Sequence, residues 1–169
     1  MAILGNNVEG GSTFSASTGR KVASKFTLSA SGQAILELHC LLYPGSAGLG
    51  GNTYTIHCYA DSSGNPGALV AYTSAITVGG GGVVVELSET GLAVPIAPGD
   101  YWLGATSTFT RGDFRYSGGG THRAILGGAT VSPPSDPFGS PDHSGSNNFS
   151  VWAVIGGAAA AFVPQVVIT

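Results

Sequence analysis

Charge is scarce in this chain. Its 169 residues hold six Lys and Arg and nine Asp and Glu, 9% in all, against roughly 25% in an ordinary domain. A nucleic-acid binder needs a basic stripe. Arg20, Lys21 and Lys25 near the start, with Arg111, Arg115 and Arg123 near the middle, make none at a pI near 5.7. Cysteine is also scarce, at two residues, too few for a disulfide framework. Helical periodicity is missing: no segment repeats apolar residues at i, i+3, i+4 and i+7 over several turns. The G-x-S-x-G, H-E-x-x-H, G-x-x-x-x-G-K-[ST] and G-x-G-x-x-G motifs are absent, so no familiar hydrolase, protease, nucleotide or dinucleotide site is expected. "MAILGNNVEGG" has neither the basic region nor the apolar run of a secretion signal. If the protein works outside a cell, it is expected to leave by another route, of which lysis of a host is one.

Hydrophobic residues, by contrast, make up 43% and glycine accounts for 28 residues. Disorder is excluded at that apolar content. A surface so poor in charge points to a large assembly or an extracellular setting. Short β-branched and aromatic runs recur between Gly, Pro, Ser and Asn, which predicts strands near 21–29, 33–43, 52–60, 68–78, 82–88, 100–108, 113–117, 122–127 and 147–155. Eight or nine antiparallel strands with this punctuation predict an all-β, jelly-roll-like sandwich over residues 1–155. The four-proline segment 131–148 is expected to be a long surface loop.

Residues 156–169, "GGAAAAFVPQVVIT", follow as an apolar tail without a charged side chain. The 149–169 stretch is long enough to cross a bilayer. Its glycines, Pro164, Gln165 and lack of flanking Lys or Arg argue against a membrane span. Phe162, Val163, Val166, Val167 and Ile168 would each gain about 1.5–3 kcal/mol by burial. They are therefore the expected contact with a neighbouring subunit; folding back on the chain's own sandwich is the competing arrangement.

Several constellations suggest chemistry. In "CYADSSGNPGALVAYT" (58–73), Asp61, Ser63 and Asn65 alternate as calcium ligands do, but the twelfth position is Tyr72 where an EF-hand needs Glu. A turn is expected instead, with Asp61 bonding locally, Gly64 at positive φ and Pro66-Gly67 fixing a second bend. His39-Cys40 and His57-Cys58 supply zinc-type ligands, yet strand neighbours point to opposite faces, so the four cannot converge without a bulge. With Cys40 and Cys58 in the core on adjacent strands, both histidines should face outward. Two buried free thiols or one disulfide remain open. Glu37 and Glu86 are the carboxylates a fold could unite as a glycosidase pair. Arg111-Gly112-Asp113 matches an integrin-binding tripeptide, and Asn148-Phe149-Ser150 a glycosylation sequon. Tyr101, Trp102, Phe109, Phe114 and Tyr116, with Trp152 near them, are candidate ligand-binding aromatics able to stack on sugar rings; core packing is the competing reading.

Four pieces, "GNN...KVASKFTLSASGQA", "IHCYADSSGNPGALVA", "IAPGDYWLGA" and "DPFG...NNFSVWAVI", together resemble a β-sandwich domain of bacteriophage virion proteins of the minor-tail or decoration type. The resemblance spans roughly residues 3–155; the cysteines and the tail depart from it. It implies a non-enzymatic structural or adhesive role, without a cofactor, on the capsid or tail surface. It also implies virion subunits as partners, as a homo-oligomer, and synthesis in the host cytoplasm. That reducing compartment favours free thiols. A module binding host-surface glycan or receptor is the alternative, and a hydrolase ranks last.

Overall fold

The computed structural model describes residues 1–15, 20–43, 52–78, 83–107, 113–127 and 131–157. Strand accounts for 73% and helix is absent among the described residues. Twelve strands run in order: β1 (Ala2–Gly5), β2 (Ser12–Ser15), β3 (Arg20–Leu28), β4 (Gln33–Tyr43), β5 (Asn52–Ser62), β6 (Asn65–Tyr72), β7 (Ile76–Val78), β8 (Val85–Ile96), β9 (Gly99–Ser107), β10 (Asp113–Ile125), β11 (His143–Phe149) and β12 (Val151–Gly157). All pair antiparallel, along a path β1-β12-β4-β10-β3-β9-β5-β6, with β8 on β4, β7 on β5, and β2 and β11 on β10. The path folds on itself. β4 faces β5, β12 faces β9 and β1 faces β3, so β8-β4-β12-β1 forms one layer of a β-sandwich over β3-β9-β5 in the other.

The core follows from period-two alternation. Leu38, Cys40 and Leu42 on β4 meet Tyr54, Ile56 and Cys58 on β5 and Tyr101, Leu103 and Ala105 on β9. Gly104 sits between Ala23 and His57 in the ladder. A Cβ there would lie 1.8 Å from the Val22 carbonyl oxygen, so only glycine permits β3 and β9 to approach this closely.

The expected 147–155 strand is divided at Ser150, because the chain changes layer there. Ser150 N–H donates to Arg115 O at 2.9 Å, and its carbonyl accepts from Leu41 N–H at 2.8 Å. Its hydroxyl accepts from Gly10 N–H at 3.0 Å and donates to Val8 O at 2.8 Å. Both backbone groups of Ser150 are therefore paired at this buried corner. The runs expected at 113–117 and 122–127 are one strand, β10, whose register shifts against β11 between Gly118 and His122. β8 continues past the expected end at 88 to Ile96, turning at Gly91 with φ of 78°.

Candidate functional site

The most chemically loaded region lies on the outer face of the β3-β9-β5 layer. Alternation sends Lys21 and Ala23 (β3), Trp102 and Thr106 (β9), and His57 and Tyr59 (β5) away from the sandwich core, yet all six are buried. The cover is segment 131–142. Phe138, fully buried, closes a second small core with Ala23, Tyr59 and Trp102. This overturns the expectation that His57 faces solvent. Its phase in the strand is as expected, but the proline-rich segment folds down over that face instead of standing off as a loop. His39 is also nearly buried, for a different reason: it stacks on Trp152 with centroids 4.9 Å apart and planes 6° from parallel.

The cover is held by specific bonds. Phe138 N–H donates to Gly67 O at 3.1 Å, and Leu69 N–H to Asp136 Oδ1 at 2.8 Å. Tyr59 Oη donates to Ser135 O at 2.7 Å. Lys21 Nζ donates to Ser135 Oγ at 2.6 Å, Phe138 O at 3.1 Å and Tyr59 Oη at 3.2 Å, and lies 4.7 Å from the Phe138 ring centroid. None of these acceptors is a carboxylate. Burial pushes the Lys21 amine down to about 8. Burial first, then the Lys21 charge, hold His57 well below its ordinary value; the carbonyls of Ala105 and of His57 itself act the other way. His57 Nε2 pairs with Thr106 Oγ1 at 3.1 Å. Burial raises Tyr59, aided by the Asp136 charge. The arrangement anchors a segment; its lysine is enclosed by neutral acceptors and reaches no open cleft.

The 58–73 stretch forms the neighbouring hairpin. Ser63 and Gly64 both have positive φ, 53° and 81°, and join β5 directly to β6, the two-residue geometry whose twist suits a hairpin. Pro66 pairs with Asp61 inside β6 and does not make a second bend. Asp61 accepts from Gly64 N–H at 3.0 Å and from Trp102 Nε1 at 2.7 Å, and meets Lys25 Nζ at 3.2 Å. Partial burial tends to raise its carboxyl, but these bonds outweigh it and hold Asp61 below its ordinary value. Lys25 also pairs with Asp100 at 2.8 Å, and Arg123 lies 5.5 Å over the Trp102 ring while bonding Asn65. Every group bonded to Asp61 is a donor, so its oxygens serve the turn.

Among the described residues the aromatic candidates form no exposed platform. Trp102 is 0% exposed, and Tyr101 and Phe114 are buried in the main core. Tyr116 is half-buried against Phe149, and Phe109 lies outside the described residues. Both sides of β9 are covered, one by the sandwich and one by segment 131–142, so adjacency of Tyr101 and Trp102 brings neither out. Glu37 and Glu86 do come together, on opposite nitrogens of His39: Oε2 of Glu37 is 2.8 Å from Nε2, and Oε1 of Glu86 is 2.7 Å from Nδ1. The imidazole fills the space where a glycosidase would hold its water or sugar.

Cys40 and Cys58 are free and buried, but on β4 and β5, which face each other across the core and are not sheet neighbours. Burial raises the Cys40 thiol to about 12 and Cys58 further, which keeps both unreactive. Among the described residues no three His, Cys, Asp or Glu side chains converge as metal ligands, and no helix is long and apolar enough to cross a membrane. Arg111, Gly112 and tail residues Phe162, Val163, Val166, Val167 and Ile168 lie outside the described residues. Asn148 is half-buried within β11.

Sequence reasoning missed Lys21, Tyr59 and Phe138. The available signal was Phe138, an isolated aromatic in a proline-rich segment. No protein-family model, curated protein or solved structure matches the chain.

Proposed function

We propose that this chain is a non-enzymatic structural protein of a bacteriophage particle. In this reading it is a jelly-roll-type sandwich that decorates the capsid or tail exterior, held by subunit–subunit contacts. The observation that carries the reading is the exposed apolar rim of β1 and the end of β12; the neighbouring outward face of β4 carries Glu37, in register with Val154, and His39. Ile3, 46% exposed, pairs in register with Val154, and Leu36 and Met1 lie beside Gly156. An apolar strip on a surface this poor in charge suits burial against another subunit. The groups able to do chemistry are meanwhile occupied by structural bonds: Lys21 under the cover, His39 between two carboxylates, and both thiols in the core. Free thiols suit assembly in a reducing host cytoplasm.

Co-banding of the chain with purified particles in a density gradient tests the reading; the protein should remain with the particles after a high-salt wash. Three of the five aromatics behind the glycan-binding alternative, Tyr101, Trp102 and Phe114, are buried, which weighs against it. A glycan array should accordingly give no signal above background.

A further inference from the structure

We infer that the apolar tail of one copy, residues 158–169, adds as a strand to the free edge of β1 in a second copy. This rests on the assembly reading and names its contact. Edge strands invite pairing unless charge, proline or a cover blocks them. β8 carries Glu86, Glu89 and Pro95, and β6 is capped by segment 131–142 through Gly67 O and Leu69 N–H. β1 stands at the end of the strand path, with β12 as its only pairing partner among the described residues. No charged side chain occurs before Glu9, and Met1 and Ile3 are exposed. It is an unguarded edge.

The occupant follows from the chain itself. Gln165-Val166-Val167-Ile168-Thr169 is a β-branched run after Pro164, with no charge to oppose pairing. Gly156 and Gly157, which resemble a hinge in the sequence, are inside β12, paired with Ala34 and Gln33. The chain therefore leaves the sandwich in the direction of β12, beside the start of β1, where Ala2 pairs with Ile155. To reach its own β1 edge the tail would have to reverse direction, and the Ala158–Ala161 sequence holds none of the Gly, Pro, Asn, Asp or Ser that favour turns. Carried onward, the run meets another copy.

The test uses the full chain, a truncation after Gly157, and the variants Ile3→Lys and Val167→Lys, each followed by sedimentation velocity and thermal melting. Self-association of the full chain should weaken at least about tenfold in all three, with melting temperatures within about 2 °C of the parent. Mixing Ile3→Cys with Val167→Cys chains should give an intermolecular disulfide. If the truncated chain still self-associates, this contact is wrong while the assembly reading stands. In a chain carrying both Ile3→Cys and Val167→Cys, a disulfide formed within one chain, with no product in the mixture of single variants, would place the tail on its own edge and overturn the proposal. Absence from purified particles would instead count against the assembly reading, whatever the tail does.

Discussion

Two buried histidines set the response to acid. His122 is pushed down to about 4, by burial first and then by the charges of His143 and Arg123; His57 is also held low. Each is depressed in the folded chain, so the unfolded chain binds more protons as the pH falls from 6.5 toward 4. Their stabilisation is complete above 6.5 and is lost through that window, at up to about 1.4 kcal/mol per pH unit for each group. The urea midpoint should fall between pH 6.5 and 4. His122→Asn, which keeps an acceptor for the Asn147 N–H, should make the fall shallower; a flat midpoint in the parent would contradict this assignment. At Asp61 the issue is a lost acceptor. Asp61→Ala strands the buried Trp102 Nε1 and the Gly64 N–H, at a cost of about 1–3 kcal/mol. Calcium should leave the melting temperature of parent and variant unchanged; a calcium-dependent rise confined to the parent would restore the metal reading.

At the scale of elements, segment 131–142 turns the outer face of one layer into a second core. Phe138 is its anchor. Phe138→Ala should cost about 3–5 kcal/mol in thermal unfolding, and the Lys21 amine, no longer enclosed, should titrate closer to 10.5 by NMR. Unchanged stability would mean the cover is dispensable. The same element marks the limit of what could be read from residue order. Alternation placed Leu38, Cys40, Tyr54, Ile56 and Cys58 inward, and turn chemistry placed Gly64 at positive φ, because both are local; Leu36, expected in the same phase as Leu38, gives way to Ile35 in the core, where the register shifts between Ile35 and Glu37. Which strands are neighbours is not local: Cys40 and Cys58 share a phase, yet their strands face each other from opposite layers. Nor does alternation reveal that a proline-rich segment will descend on His57 and Trp102. Proline excludes that segment from a central strand; it does not keep it away from the surface.

For the whole molecule, low charge, two buried thiols, a sandwich closed at its corner by Ser150 and an apolar strip along β1 and β12 form one pattern. Under the proposed assembly reading, these are the features of a part packed against other parts. The candidate site was legible only in fragments. Asp61 and the Glu37–Glu86 pair stood out by residue type, but their roles depend on Trp102, Lys25 and His39 arriving from other strands. The most direct test is to quantify this chain by mass spectrometry in virus particles banded from a culture that encodes it. The account predicts that it co-bands in many copies per particle and survives a high-salt wash. Recovery only from the soluble fraction, with none in the particle band, would contradict it.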